Sequence, residues 1–461
     1  MTNPADDNSE SGPWRGLGRL LCAAAVLRLG LSVTLYAIGR RAALPKAIDQ
    51  NGIVVAVTPD ATDFREDAAR LSLALRAGEV RYWLSADYPF HVKLYALCFA
   101  LFGPRLGYNI IAAEPLNASL HLASLAATFG IGNAVFNRRA GLLAAVAVAL
   151  WPSFLLHSTQ FLKDPLFVPG FLTLVLILVR LLTRTHSWAT ALLMFAAGAL
   201  IITALWLTRR NWGWLLIATV LLGSLALALR QLREGQALAA NDVCVALLLA
   251  AAIGIPRVMR NALKLGAARS HATDGSELTR PRLAHEATAE GMRQEHIWSR
   301  AAAHVGAVRR GLARAFPDSG SDIDADVRID GASDLLRYLP RAAMVGFFAP
   351  FPNMWLTSGK QVGAMVRRLA GLESLAMYVV EALALVGLWR GRRQLPVWLL
   401  ASVATVGITA LGLVMVNVGA LYRMRNVFLV LLIIVAAGTA AGLPDRQPAG
   451  LLGGGDREVT A

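Results

Sequence analysis

The chain has 461 residues, 56% of them hydrophobic and 16% charged, with a mean hydropathy of +0.51 and a formal net charge of +15. A soluble domain carries roughly a quarter charged residues, so a soluble enzyme is excluded. The positive charge would suit nucleic acid, but Lys and Arg sit mostly in short loops between apolar blocks, where they orient a membrane protein, and no nucleic-acid partner is expected. The cysteines, Cys22, Cys98 and Cys244, are odd in number and lie in apolar surroundings, which argues against a disulfide framework or a cysteine-based metal site.

The N-terminus, MTNPADDNSESGPW, lacks the basic start of a cleavable signal peptide, so the first helix is expected to stay as an anchor. Apolar blocks of roughly 17–22 residues recur, the length that crosses a hydrocarbon core of about 30 Å. Ten spans are predicted, near 18–38, 115–136, 141–157, 165–183, 188–207, 212–229, 241–256, 370–389, 396–416 and 425–442. The expected fold is an all-α polytopic membrane protein. Residues 1–256 form an N-terminal transmembrane module with a long first outer loop at 39–114. An outer segment at 257–369, a C-terminal set of helices at 370–442 and a tail at 443–461 follow.

The positive-inside rule orients the chain. With Arg15 and Arg19 in the cytoplasm, the inside loops hold Arg138, Arg139, Arg184, Arg230, Arg233, Arg390, Arg392 and Arg393. An even number of spans puts both termini inside. Five cations then stay outside against the rule: Lys163, Arg209, Arg210, Arg423 and Arg425, each at the end of an apolar block. As a set they suit a lipid phosphate at the outer leaflet. The ordinary alternative is snorkelling to headgroups.

Within the first outer loop, TPDATDFREDAARLSLALRAG (58–78) starts acidic and continues with Phe64, Ala68, Leu71, Ala74 and Leu75 at helical spacing. Thr58 and Asp60 are placed to cap this helix, and carboxylates suit its N-terminus. Asp60, Asp63, Glu66 and Asp67 exceed what capping needs, which leaves an acid for chemistry. YPFHVKLYALCFALFG (88–103) is too short and polar for a span, and is expected to lie along the membrane surface or dip into it.

The order Asp60, Phe64, Ala68, Leu71, Gly78 resembles the first outer loop of GT-C-fold glycosyltransferases. Tyr88 and Pro89 with Leu101, Phe102 and Gly103 look like that superfamily's second surface helix. Asn117, Pro152, Asp164 in FLKDP, Arg209 and the run LYRMRNVFLVLL (421–432) occupy places the family uses. The resemblance covers about 55–230 and, more loosely, 370–442. It points to the family 39-like bacterial enzymes, among them protein mannosyltransferases and lipid A aminoarabinose transferases. One departure is that Ala61 and Thr62 replace the acidic pair usual after the catalytic Asp, which leaves Asp63 as a rival base.

The resemblance implies transfer of a sugar from a polyprenyl-phosphate donor to a lipid-linked glycan, lipid or protein acceptor, at the outer face of a bacterial inner membrane. A carboxylate would deprotonate the acceptor hydroxyl, and cations would stabilise the departing phosphate. Asp60 is the first candidate base and Asp63 the second. Asp164 would orient the acceptor, assist the base, or hold a divalent ion (Mg or Mn) with a water shell, the one cofactor left open. Lys163, Arg209 and Arg210 are the leading phosphate candidates, then Arg423 and Arg425, with His91 and Lys93 on the second surface element. His157, beside Ser158 and Thr159, is a further polar candidate, set against an ordinary polar contact.

The outer segment carries Asp318, Asp322, Asp324, Asp326, Asp330 and Asp334. Their spacing lacks the Gly and the later Glu of an EF-hand. Pro350 and Pro352 bar GFFAPFPNMW (346–355) from being a regular span, so it is expected to pack over the active-site cavity or rest at the interface. Two other readings stand beside the transferase. An O-antigen-type polymerase or ligase would rely on arginines of the outer segment. A lipid or glycan flippase would show internal repeats and charges within spans, of which Glu381 is the main instance.

Overall fold

The computed structural model describes residues 15–235, 239–273, 297–315, 321–356 and 364–442. Residues 1–14, the tail at 443–461, Asp318 and the polar stretch 274–296 lie outside them. Seventeen α-helices follow in order: α1 Arg15–Arg40, α2 Asp60–Arg76, α3 Val80–Ser85, α4 Phe90–Leu106, α5 Ile110–Val135, α6 Arg138–Ala149, α7 Pro152–Thr159, α8 Asp164–Thr183, α9 Trp188–Thr208, α10 Gly213–Glu234, α11 Ala239–Thr273, α12 Ile297–Ala315, α13 Ala332–Phe348, α14 Ala364–Arg390, α15 Leu395–Val414, α16 Val418–Met424 and α17 Asn426–Ala440. No strand forms among the described residues, although an isolated bridge joins Asp322 and Asn417.

Eight helices (α1, α5, α8, α9, α10, α11, α14 and α15) are long and apolar enough to cross a membrane. Two bent pairs, α6 with α7 at 63° and α16 with α17 at 50°, bring the number of candidate spans up to ten. The protein is therefore an all-α, multi-pass membrane protein. The first bend has a local cause. Pro152 begins α7 and has no N–H to continue the ladder of α6, so the chain turns at Leu150–Trp151. Elsewhere ends are fastened by side chains: the amide oxygens of Asn109 and Asn137 accept from Ile111 N and Ala140 N at the starts of α5 and α6.

One continuous core runs through α5, α6, α8, α10, α15 and α17, so the C-terminal helices share their interior with the N-terminal module. A second core, with Ile53, Ala61, Ala68, Val92, Tyr95, Phe99 and Phe161, seats α2 and α4 on the start of α5. This fixes the first loop as a unit. The helix read at 58–78 is α2, with Ala61, Ala68, Leu71 and Ser72 buried. The expected caps do not form. Pro59 stands at the N-cap without a side-chain bond, Thr58 Oγ1 donates to Val54 O, and Asp60 turns to another partner.

Part of the outer segment packs directly on the C-terminal helices. α13 packs along α15 so closely that a Cβ on Gly412 would strike the Ala342 carbonyl and one on Gly346 the Ile408 carbonyl. Ile408 lies about six residues, roughly 9 Å, inside the end of α15. α13 thus docks on a membrane-length helix, with Leu339, Met344 and Phe348 left exposed on its far side. A helix that stops there must satisfy its last carbonyls. The buried Arg425 guanidinium does so, donating to Gly346 O and Phe347 O, both at 3.2 Å, and to Ala349 O. Past Pro350 the chain lies against α14, where Trp355 packs on Gly371. GFFAPFPNMW therefore packs among α13, α14 and α15 and supplies none of the ion pairs of the charged cluster described next.

Candidate active site

Four segments far apart in sequence bring their charged side chains together. Arg423 of α16 grips Asp60 at the start of α2 with two hydrogen bonds, Nη1 to Oδ1 at 2.9 Å and Nη2 to Oδ2 at 3.1 Å. Its Nε lies 3.5 Å from Asp164 Oδ2 at the start of α8. Arg209, just after α9, donates to Asp164 Oδ1 at 2.7 Å. The Arg209 guanidinium also lies over Trp212 at 4.7 Å and Phe167 at 5.5 Å. Bidentate, charge-assisted contacts of this kind are the strongest hydrogen bonds a protein makes. Lys163 lies over the Phe64 ring at 5.2 Å and has no carboxylate within ion-pair distance among the described residues. Two carboxylates thus face three cations, one positive charge in excess. Only Asp60 is substantially open, its side chain 38% exposed against 14% for Asp164 and 12% for Arg423.

The surrounding fold holds each partner. Tyr95 of α4 donates its hydroxyl to Asn117 Oδ1 at 2.8 Å, and Asn117 Nδ2 donates to Thr159 O at 3.2 Å. Val54 N donates to Gln160 Oε1 at 2.9 Å. The α7–α8 connection that carries Lys163 and Asp164 is thereby tied to α4, α5 and the first loop. α16 is set by its Asn417 cap on Ala420 N at 3.0 Å, and by Ile323 N to Val416 O (2.8 Å) and Val418 N to Ser321 O (3.1 Å). At the head of α8, Asp164 is followed by Pro165, a pairing suited to a helix start.

The predicted residues divide clearly. Asp60, Asp164, Lys163, Arg209 and Arg423 converge. Asp63 is exposed one turn along α2, with no ion pair or hydrogen bond among the described residues. Arg210 sits at the rim, paired with Asp87 at 2.7 Å, both exposed. Lys93 Nζ donates to Leu84 O at 2.8 Å, closing the C-terminal end of α3. Arg425 caps α13. His91 is buried edge-on against Phe64 at 4.6 Å, with both ring nitrogens unpartnered. Burial, then the nearby charges of Lys163 and Arg209, drive its imidazole well below the usual range. Burial and Arg209 likewise push the Lys163 ammonium below its ordinary range.

In the outer segment Asp324, Asp330 and Asp334 have partners. Asp324 accepts from Tyr338, and from Arg341 at 2.9 and 3.2 Å. Asp330 pairs with Arg310, and the Asp334 carboxylate accepts from Gly331 N. Arg309 donates to Leu413 O and Asp324 O. Burial raises the Asp324 carboxyl, but the hydrogen bonds from Arg341 and Tyr338 outweigh it and hold the group below its ordinary range.

Charges within spans go beyond Glu381. Arg28 of α1 is fully buried and donates to Glu114 Oε1 of α5 at 2.9 Å, and to Ser158 Oγ and O, both at 2.6 Å. Ser32 donates to Glu114 Oε2 at 2.8 Å. Glu373 of α14 accepts from Ser153 N at 3.1 Å and from Ser153 Oγ. The signal was present, an Arg and a Glu inside apolar blocks; which pairs with which is a tertiary fact. A scan against protein-family models gives no match for this chain, and a search of curated proteins gives none either.

Proposed function

We propose that this protein is a membrane glycosyltransferase that moves a sugar from a polyprenyl-phosphate donor to a hydroxyl acceptor, at the outer face of a bacterial inner membrane. The observation that carries the reading is the cluster itself. One accessible carboxylate, Asp60, stands beside a net-positive group made by Lys163, Arg209 and Arg423 with Asp164, where the first loop meets the ends of three spans. A carboxylate next to surplus cations matches a base beside an anionic leaving group.

In this scheme Asp60 takes the proton of the acceptor hydroxyl as its oxygen attacks the anomeric carbon. The bond from that carbon to the phosphate oxygen breaks, and its electron pair leaves with the lipid phosphate. Attack from the opposite face inverts the anomeric centre. Lys163, lacking a carboxylate partner, receives the phosphate first. The phosphate then competes for Arg423, whose bidentate hold on Asp60 must loosen to free a carboxylate oxygen for the acceptor's proton. Asp164, held by Arg209, anchors the other flank.

The same charges do not fit a divalent ion at Asp164. Both carboxylates are engaged by guanidinium groups, the cluster is already positive, and no group of three His, Cys, Asp or Glu assembles among the described residues. No step is routed through a metal. In the outer segment, where a polymerase or ligase would rely on arginines, Arg309 is held by Leu413 O of α15 and Asp324 O, Arg310 by Asp330 and Arg341 by Asp324. The test is steady-state kinetics on a labelled polyprenyl-phosphate sugar with Lys163→Met. Loss of a charge-assisted contact to phosphate, about 1.5–3 kcal/mol, predicts a KM higher by about tenfold or more. An unchanged KM and kcat would remove Lys163 from the donor site.

A further inference from the structure

Behind the carboxylates a small cavity continues toward the interior of the bundle. Its volume is about 10 Å³, and its walls include His121, Ser124, His157, Ser158, Asp164 and Arg423. That is room for about one water. Four of these residues carry a buried polar atom with no hydrogen-bond partner in the protein: His121 Nε2, His157 Nδ1, Asp164 Oδ2 and Arg423 Nε. His121 lies about eleven residues, roughly 16 Å, below the start of α5, where bulk solvent does not reach.

The hydrogen-bond network specifies what the cavity wants. Ser158 Oγ accepts from Arg28 Nη1 at 2.6 Å and donates its proton to Leu155 O at 2.9 Å. His121 Nδ1, 3.3 Å from the same oxygen, is then the donor of that pair, which leaves Nε2 as a bare acceptor. Asp164 Oδ2 is also an acceptor, and Arg423 Nε is a donor. An anion could only accept, and a metal ion would face a guanidinium. A group that donates twice and accepts at least once satisfies His121 Nε2, Asp164 Oδ2 and Arg423 Nε, three of the four, and at this size that group is water.

We propose that this cavity is a binding site for one water, which donates to His121 Nε2 and Asp164 Oδ2 and accepts from Arg423 Nε. Through it His121 is a positioning residue for Asp164: it fixes from behind the carboxylate that Arg209 fixes from the side. The 3.5 Å between Asp164 Oδ2 and Arg423 Nε is too long for a good direct hydrogen bond, so both atoms are open to a shared partner. The positioning role rests on the transferase reading; the water site does not.

Two measurements test it. An experimental map of the full chain that shows other buried waters should show a peak within about 3.2 Å of both His121 Nε2 and Asp164 Oδ2. An empty cavity in that map overturns the proposal. Kinetics of His121→Leu and His121→Gln address the positioning role. The Leu variant should keep its KM for a labelled polyprenyl-phosphate sugar and lose kcat by on the order of tenfold to a hundredfold, as displaced catalytic groups do. The Gln variant, which restores an acceptor, should recover most of it. Equal losses in both would show that the histidine acts through packing, and would end the positioning role. A wild-type protein that consumes no donor would end the transferase reading, while the map alone still decides the water site.

Discussion

The Arg28–Glu114 pair offers a test in which magnitude decides between two accounts. Its side chains are 0% and 7% exposed, and its four hydrogen bonds join α1, α5 and α7. Arg28→Met strips Glu114 of its cation and leaves it one hydrogen bond, from Ser32. Removing one partner of a buried ion pair costs about 3–5 kcal/mol, whereas replacing both with apolar groups is often neutral or stabilising. Ordinary interhelical hydrogen bonds in membranes average only about 0.6 kcal/mol. Thermal unfolding of the purified protein in nanodiscs, with Arg28→Met, Glu114→Leu and the double variant, should therefore give two strongly destabilised singles and a double close to wild type. Singles that lose only about 0.6 kcal/mol, or a double whose loss is the sum of the singles, would refute the account of a charged lock joining α1, α5 and α7.

Two further outcomes follow from the packing. The His91 imidazole has its folded pKa below the unfolded value of 6.5, so the unfolded chain binds the extra proton first. Stability should fall as pH drops below about 6.5, by up to ~1.4 kcal/mol per pH unit, and His91→Phe should flatten that slope in pH-dependent thermal unfolding. Gly412→Val should push α13 off α15 and lower the melting temperature, because its Cβ meets the Ala342 backbone rather than a movable side chain; an unchanged melting temperature would mean that α13 does not dock there.

The spans were legible because an apolar block of membrane length is a local property of the chain, and two of the ten candidate spans bend where proline or a cluster of polar groups interrupts the ladder. Asp60, Asp164, Lys163, Arg209 and Arg423 were legible because charges at block ends stand out against apolar surroundings. α13 was not: Arg337, Pro340 and Arg341 give its first half the look of a surface segment, and only the small residues Ala342 and Gly346 hint at close packing against α15. Arg425 and Lys93 share the composition of the phosphate candidates, yet each satisfies orphan carbonyls at a helix end. Sequence cannot separate those roles, since the receiving helix ends lie 79 and 9 positions away. The inward cavity was illegible for the same reason, because His121 and Asp164 line one cavity only once α5, α7 and α8 are assembled.

The most direct measurement is consumption of labelled polyprenyl-phosphate sugars by membranes containing the wild-type protein, Asp60→Asn or Asp63→Asn. The account predicts that the wild type consumes a donor, that Asp63→Asn retains the activity, and that Asp60→Asn loses it with the protein still folded. Activity that survives Asp60→Asn and disappears with Asp63→Asn would contradict the assignment of the base. A wild type that consumes no donor, yet lengthens or transfers lipid-diphosphate-linked glycans, would contradict the transferase reading itself.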